Sequence, residues 1–370
     1  MYKPLAFIII FFIVMGSKDQ KKPKHDLMFF SMTNEWEGIK KDEPVFDFVI
    51  KSLDNKFNTE INHNVRLLSN SKAEPMLFFS DIETSVCADG VCKLANIKVY
   101  WNLLGNYVGF GIHPEYPLTK YEHDSFQKAD YAKLHQLLLD DNSILKRRKM
   151  SELIDQVPVS ESYRNSRGVD GVSGATKTEV KESVVKGGLY SCYTLWHTVH
   201  GEVKKKIRRY LLHLNSKALT NYFLYSPYND YQIYALKQLD KTELKIHSQQ
   251  IVNIFKTANT LTKAYILKKL TRVRLKNQDL SIQYYEEFSA VGINIRTLLI
   301  KNLELANPKA VEILSKYIDS MTKNQLKQYL EYLNNSPDRF TKKVKANLKK
   351  SQKNKAYVHS FLITEFLKRK

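Results

Sequence analysis

The pattern of apolar and polar positions separates a first part of the chain with strand character from a longer second part with helical character. Residues 73–87 alternate between apolar and polar side chains, and residues 92–112 favour two strands joined near residues 104–106. Together they predict a three-stranded antiparallel meander. Residues 43–70, which come before it, favour a helix followed by a polar turn and carry no recognisable chemistry.

A helix is predicted after the meander, over residues 125–139, because apolar side chains recur there on one stripe. The stripe consists of Phe126, Tyr131, Leu134, Leu137 and Leu138. From about residue 201 the chain has few glycines and no strand signature, and successive helical stretches alternate with short polar turns. We expect an α-solenoid of the HEAT-like type in this half, and an irregular helical bundle is the alternative.

These elements predict an α+β fold in which an antiparallel sheet domain is followed by an all-α, solenoid-like domain. At 370 residues the chain exceeds a typical single domain, so at least two domains are expected. The expected divisions are a signal peptide at 1–17, an N-terminal segment at 18–75, the sheet domain at 76–200 and the helical-repeat domain at 201–370.

The first 17 residues have the features of a secretory signal. Lys3 precedes an apolar run from Leu5 to Met15, and the small residues Gly16 and Ser17 follow it. This run is too short to span a bilayer as a helix, but it fits the apolar core of a signal peptide. We therefore expect export, with cleavage near Gly16 or Ser17; an uncleaved anchor is the alternative.

The net charge of +20 lies entirely in the second half of the chain. Residues 1–200 contain 25 Lys and Arg and 25 Asp and Glu, so residues 201–370 carry the whole excess, and residues 341–355 are the densest patch. The basic residues lie on polar faces of amphipathic helices without a glycine-rich or aromatic nucleic-acid motif, so nucleic acid is not an expected partner. A solvated face, acidic lipid headgroups and an acidic protein partner remain as explanations.

The chain has three cysteines, and two of them flank a turn signal. Cys87 and Cys92 enclose Asp89-Gly90, which favours a tight turn between strands. In an oxidising compartment a disulfide could close this turn; free structural thiols and a redox-active pair are the alternatives. Without a second Cys/His pair the spacing does not indicate zinc. Cys192 lies in an apolar stretch and is expected in the core.

A metal site in the polar segment that includes the predicted helix would need His123, Asp130 and His135 to converge. Offsets of five and twelve residues do not bring these side chains to one helix face. The sequence therefore predicts no metal site there.

A run of small and hydroxyl residues at 170–178, with the sequence DGVSGATKT, is the most distinctive feature of the chain. Gly174 can adopt positive φ, and small side chains let the backbone approach a ligand closely. Thr176 lies just before an amphipathic segment, where free backbone N–H groups favour a phosphate. The alternative is a simple helix cap, because Thr176 and Glu179 also match the capping-box pattern.

This run resembles the flavinylation motif of the FMN-binding domain family, which is found in flavin-bearing subunits of Rnf and sodium-translocating NADH:quinone oxidoreductase complexes. The family pattern, Asp-x-x-Ser/Thr-Gly-Ala-Thr, is met in full by Asp170, Ser173, Gly174, Ala175 and Thr176. The resemblance implies that a flavin transferase joins FMN to Thr176 through a phosphoester, with Thr178 as the fallback acceptor. It covers the motif closely and residues 80–200 loosely, which makes the domain at 76–200 FMN-binding-like.

The same resemblance implies a second contact with the cofactor, because members of the family usually carry a Thr-Pro-Gly loop near the flavin. This chain lacks that tripeptide, and residues 117–120 are the nearest substitute by position. Thr119 and Lys120 are therefore the expected additional cofactor-binding residues, and a surface role for Lys120 is the alternative.

The motif comes without a set of residues typical of a catalytic acid, base or nucleophile. This favours an extracytoplasmic electron-transfer flavoprotein, in the periplasm or on the outer face of the inner membrane, with a redox partner protein or membrane-associated complex. A flavin-dependent reductase is one alternative. An exported helical-repeat adaptor with a vestigial flavin motif is the other.

Overall fold

The computed structural model describes residues 27–30, 39–51, 60–84, 95–112, 116–120, 124–153, 178–214, 216–273 and 280–370. The chain divides into two compact units, Met1–Leu214 and Asn215–Lys370. We call them the sheet unit and the helical unit. The sequence analysis placed this division one helix earlier, after residue 200.

The described part of the sheet unit contains six antiparallel strands in the spatial order β1-β6-β5-β4-β3-β2. The strands are β1 Leu27–Phe30, β2 Ile39–Lys51, β3 Glu60–Asn70, β4 Pro75–Thr84, β5 Ala95–Trp101 and β6 Tyr107–Ile112. The predicted meander is confirmed as β4, β5 and β6, with the last two strands joined by a turn at residues 102–106.

The helix predicted within residues 43–70 is wrong, because these residues form most of β2 and all of β3. The physical reason is a side-chain period of two. In β3, His63, Val65 and Leu67 are buried, whereas Asn62 and Asn64 between them are exposed. The pairing of β2 with β3 extends over nearly the full length of both strands.

One face of the sheet forms the core of this unit. Phe78 pairs with Trp101, and Val99 pairs with Phe110, and all four side chains are fully buried. Because side chains alternate between the two faces of a sheet, the intervening pair Asp81 and Lys98 lies on the opposite, polar face.

Among the residues described after the sheet, five α-helices belong to this unit, and three of them are long. They are α1 Lys128–Leu139, α2 Met150–Leu153, α3 Thr178–Ser183, α4 Leu189–His200 and α5 Glu202–Leu214. The predicted helix after the meander is confirmed as α1, and all five residues of its apolar stripe are buried. Phe110 of the sheet contacts Tyr131 of α1 with ring centroids 6.2 Å apart, and α4 packs on α1.

The helical unit contains eleven α-helices within its described residues and no strand there, which confirms the all-helical prediction. They are α6 Lys217–Tyr225, α7 Asn229–Gln238, α8 Lys241–Ile246, α9 Ser248–Thr257, α10 Thr260–Val273, α11 Leu280–Glu286, α12 Ile293–Lys301, α13 Lys309–Ser315, α14 Lys323–Asn335, α15 Lys342–Lys353 and α16 Ser360–Lys368.

From α9 onward the helices pack in two layers. One layer stacks α9, α11, α13 and α15, and the other stacks α10, α12, α14 and α16. The helices of the first layer begin at Ser248, Leu280, Lys309 and Lys342, so one helix pair recurs about every 30 residues. Each pair buries its apolar face against its neighbours, as in an α-solenoid, although this period is shorter than that of a HEAT repeat.

Candidate functional site

The segment 170–178, which resembles a flavinylation motif, adjoins α3, but its residues 170–177 lie outside the described residues. The same is true of Cys87 and Cys92, so the proposed disulfide is not described either. Thr178 is the first residue of α3. The environment of the motif is therefore described only through the elements on either side of it, α2 and α3.

Helix α4 anchors the segment that leads to α2. Three of its side chains hydrogen-bond to main-chain carbonyls of residues 140–148. Tyr193 Oη donates to Arg148 O at 3.1 Å, and Trp196 Nε1 donates to Asp140 O at 2.9 Å. His197 Nε2 lies 3.0 Å from Leu145 O. Because a carbonyl only accepts, this nitrogen carries the hydrogen.

On the other side of the motif, α3 leads into α4 through a tight turn at residues 184–188. Gly187 has φ +77°, a left-handed conformation that favours glycine. A Cβ atom on Gly187 would also lie 3.3 Å from Cβ of Lys120, and one on Gly188 would lie 2.8 Å from the Phe126 ring. Both ends of the segment 154–177 are therefore connected to the same helix, α4.

Thr119 and Lys120, the expected additional cofactor contacts, pack against this turn and the start of α4. Thr119 forms a β-bridge with Ser125, and its carbonyl accepts a hydrogen bond from Ser191 Oγ of α4 at 2.9 Å. Lys120 packs on Gly187, just after α3. A six-residue helix is about 9 Å long, so the structure places Lys120 at the opposite end of α3 from Thr178.

The charge of Lys120 is already paired. Its Nζ lies 2.7 Å from Asp130 Oδ2, and both side chains are mostly buried. Asp130 also accepts from the main-chain N–H of Gln127 and so caps α1. An anionic group of a cofactor would therefore have to share the Lys120 ammonium group with Asp130. Lys181 of α3 and Lys186 of the turn after it are exposed basic residues on the same side of the motif.

His135 lies in the core rather than at a metal site. Its Nδ1 is 2.8 Å from Tyr107 Oη, and both residues are buried between the sheet and α1. Burial lowers the pKa of His135 to about 4 and raises the pKa of Tyr107 well above its usual value, so both are uncharged near neutral pH. The described residues contain no group of three His, Cys, Asp or Glu side chains that could hold a metal ion.

Cys192 is fully buried, as expected. Burial raises the pKa of its thiol to about 12. A thiol with this pKa is not a nucleophile at neutral pH. Cys192, which is part of α4, therefore has a packing role in the core.

An open groove runs beside α4, between the edge strand β2 and the start of α5. Its lining consists of Phe48, Val49, Ile50, Tyr193, Thr194, His197, Thr198, Glu202 and Val203. Burial lowers the pKa of His197, so the imidazole is neutral near pH 7. Tyr193 packs on His197 with ring centroids 4.3 Å apart. The groove is thus an aromatic and neutral surface without a charged recognition group other than Glu202.

Sequence reasoning did not single out the aromatic and histidine side chains of α4. Their spacing was a usable signal, because Tyr193 and His197, and likewise Trp196 and His200, are four residues apart and lie on one face of a helix. Their partners could not be inferred, since the carbonyls that they bind lie 45 to 62 residues away in the chain.

Comparisons with protein-family models, curated proteins and solved structures found no match for this chain. Among the described helices, none is both long and apolar enough to cross a membrane. The resemblance to the FMN-binding domain family therefore rests on the motif itself.

Proposed function

We propose that this chain is an exported flavoprotein that carries FMN on Thr176 through a phosphoester and acts in electron transfer. The observation that carries the proposal is the complete motif of Asp170, Ser173, Gly174, Ala175 and Thr176. A flavin attached through its phosphate leaves the isoalloxazine ring free to accept and donate electrons. Covalent attachment also retains the cofactor outside the cytosol, where it cannot be replaced.

The fold around the motif supports the proposal. The segment that contains it connects α2 to α3. Side chains of α4 hold the chain just before α2, and the chain after α3 continues into α4. Elements held in this way restrict where a tethered flavin can go. The hairpin of Thr119 and Lys120 packs against the turn that follows α3.

The burial of Cys192 and His135, and of most of His200, supports a carrier over a reductase. Near neutral pH the thiol of Cys192 is protonated and the imidazoles of His135 and His200 are neutral, because burial shifts the pKa of each group. These groups pack in the interior and are poor candidates for proton transfer to a substrate. A carrier needs only the cofactor, a stable scaffold and a partner surface.

The test is co-expression of the chain with a flavin transferase, followed by denaturing electrophoresis and in-gel flavin fluorescence. We expect a fluorescent band for the parent chain and for Thr178→Ala, and a dark band for Thr176→Ala. Thr178→Ala is the matched control, since it removes a hydroxyl two residues away on the same segment. A dark parent band contradicts the proposal, and fluorescence that survives Thr176→Ala but not Thr178→Ala moves the attachment site.

The proposal implies two kinds of partner and a location. A flavin transferase is needed for maturation, and a redox partner protein or membrane-associated complex is needed for turnover. The apolar segment at residues 1–17 supports export, to the periplasm or the outer face of the inner membrane. Oxidation of the bound flavin by small acceptors in isolation would favour the reductase, whereas oxidation only by a partner protein would favour the carrier.

A helical-repeat adaptor is the second candidate function, and the stacked helix pairs of the helical unit favour it. Stacked repeats present long surfaces that suit protein partners. In this case the motif at residues 170–178 is vestigial. A dark parent band in the electrophoresis experiment, together with a folded chain, is the outcome that selects this candidate.

A further inference from the structure

The outer face of α15 is formed almost entirely by lysine. Val344, Leu348 and Ser351 are buried against the helical unit, which directs the rest of the helix outward. Six lysines on the remaining arc are exposed: Lys342, Lys343, Lys345, Lys349, Lys350 and Lys353. With Lys355 just beyond the helix, these residues form a continuous basic surface.

Little acidic charge compensates this surface. The sequence contains no Asp or Glu between Asp338 and Glu365. From the preceding helix of the same layer, Glu312 of α13 lies 3.6 Å from Lys343, and Asp319, which follows α13, accepts a hydrogen bond from Asn354. Asp319 thus lies near Lys353 and Lys355, which flank Asn354. Within the described residues no ion pair forms with Lys349, Lys350, Lys353 or Lys355, and all four are exposed to solvent.

Two exposed apolar side chains adjoin the C-terminal end of this surface. Val358 is 75% exposed, and Phe361, in the first turn of α16, is 47% exposed. Near the start of α14, Lys323 Nζ lies 6.0 Å from the ring of Phe361 at the start of α16. Gln325 of α14 donates to Ile293 O at the start of α12. The helices α12, α14 and α16 therefore begin at one common edge. We call Lys349, Lys350, Lys353, Lys355, Val358 and Phe361 the terminal patch.

Single exposed apolar residues are common on protein surfaces. A valine and a phenylalanine beside four unpaired lysines are a more specific combination, because lysines attract anionic headgroups while apolar side chains enter the boundary with the acyl chains. A nucleic acid would use the lysines but not Val358, because valine has no aromatic ring on which a base can stack. Flexible lysines also suit a diffuse layer of phosphates better than the paired geometry that arginine provides.

We infer that the terminal patch docks the chain on the surface of an anionic lipid bilayer, with its lysines on the phosphate headgroups and Val358 and Phe361 inserted at the interface. This docking site lies in the helical unit. It does not depend on whether Thr176 carries FMN.

The test is sedimentation of the full chain with vesicles of phosphatidylcholine alone or with roughly one third phosphatidylglycerol. We expect binding only to the anionic vesicles, with affinity that falls as salt is raised. A lysine near such a surface contributes about fivefold, so Lys349→Glu/Lys353→Glu/Lys355→Glu should weaken binding by at least about 100-fold. Val358→Ser should weaken it by a smaller factor that persists at high salt, since its contribution is apolar.

Matched controls come from another exposed surface of the same unit. Lys237→Glu/Lys241→Glu/Lys245→Glu makes the same change of charge on α7 and α8, where all three lysines are exposed. Ile246→Ser removes an apolar side chain that is 70% exposed. Both controls should bind like the parent chain, and circular dichroism should show all variants folded.

Three results would overturn the inference. Equal binding to neutral and anionic vesicles removes the role of charge, and equal losses in the patch and control variants remove the role of the patch. Binding to a DNA duplex or to heparin, without binding to anionic vesicles, shows that the surface recognises a polyanion and not a bilayer.

Discussion

At the scale of single residues, the buried histidines of the sheet unit make its unfolding free energy depend on pH. Burial lowers the pKa of His135 and of His200 to about 4. In the unfolded chain a histidine titrates near 6.5. The unfolded chain therefore binds protons first as the pH falls, so stability is complete above about pH 6.5 and is lost progressively towards about pH 4.

His135→Asn should make the sheet unit less sensitive to acid. When the pH falls from about 7 to about 5, the titration of His135 should lower the unfolding free energy by about 2 kcal/mol. An asparagine at this position does not titrate and so avoids this loss. The measurement is urea unfolding at both pH values, followed by tryptophan fluorescence, because Trp36, Trp101 and Trp196 all lie before residue 215. The variant should lose about 2 kcal/mol less than the parent chain.

His213→Asn provides the control, since His213 lies in the same unit on the exposed side of α5. It should reproduce the acid sensitivity of the parent chain. If His135→Asn and the parent chain lose the same unfolding free energy, His135 is not held neutral in the core and this interpretation of its contact with Tyr107 is wrong.

At the scale of elements, buried hydroxyls fasten neighbouring helices to one another, both within a pair and between pairs. Tyr329 of α14 donates to Val311 O of α13 at 2.8 Å, and Tyr357 donates to Met321 O at 3.0 Å. Tyr285 donates to Leu299 O at 3.1 Å in the pair before them. Apolar burial drives the stacking, and these bonds fix the position of one helix relative to the next.

Tyr329→Phe should destabilise the helical unit by about 1–2 kcal/mol, because the buried Val311 carbonyl loses a hydrogen bond while the ring stays in place. Unfolding in urea followed by far-ultraviolet circular dichroism measures the change. Tyr317→Phe is the control, since Tyr317 is partly exposed and packs through its ring on Phe288. Its effect should be within about 0.5 kcal/mol of zero. Equal effects of the two substitutions would contradict a specific role for the Tyr329 hydroxyl.

The elements differ in how far the sequence could predict them. Strand β4 and the helices of the second half follow from local periodicity, since their buried positions recur at intervals of two or of three to four. Strand β6 is buried at every position and follows from its short apolar run after a turn. Strand β3 carries the same alternation as β4, in His63, Val65 and Leu67. The many polar residues of β2 and β3 obscured this pattern in the sequence. Their assignment depends on mutual pairing, which is a property of the sheet and not of either segment alone.

The surroundings of the candidate site were less predictable than the motif. Position 187 requires glycine because of a left-handed turn and the side chain of Lys120, which lies 67 residues earlier in the chain. The ion pair of Lys120 with Asp130 likewise depends on how the hairpin meets α1. Local pattern predicts a loop or a cap, but it does not specify which distant backbone the loop will contact.

At the scale of the whole molecule, α5 decides where the sheet unit ends. Val203, Ile207 and Leu211 are buried, and Tyr210 contacts Phe78 of the sheet with ring centroids 5.9 Å apart. Lys206 Nζ also lies 2.7 Å from the Asp47 carbonyl on the edge strand β2. The amphipathic, basic sequence of α5 resembles the helices that follow it, which is why composition alone placed it with them.

Two pairs of fragments should therefore differ sharply. Residues 18–214 should fold with cooperative tryptophan fluorescence unfolding, whereas residues 18–200 should not, because removal of α5 exposes the apolar face around Phe78 and Trp101. Residues 215–370 and 201–370 should both give helical circular dichroism spectra with the same unfolding midpoint, since α5 belongs to the first unit. A folded 18–200 fragment, or a helical fragment stabilised by residues 201–214, would place the boundary after residue 200.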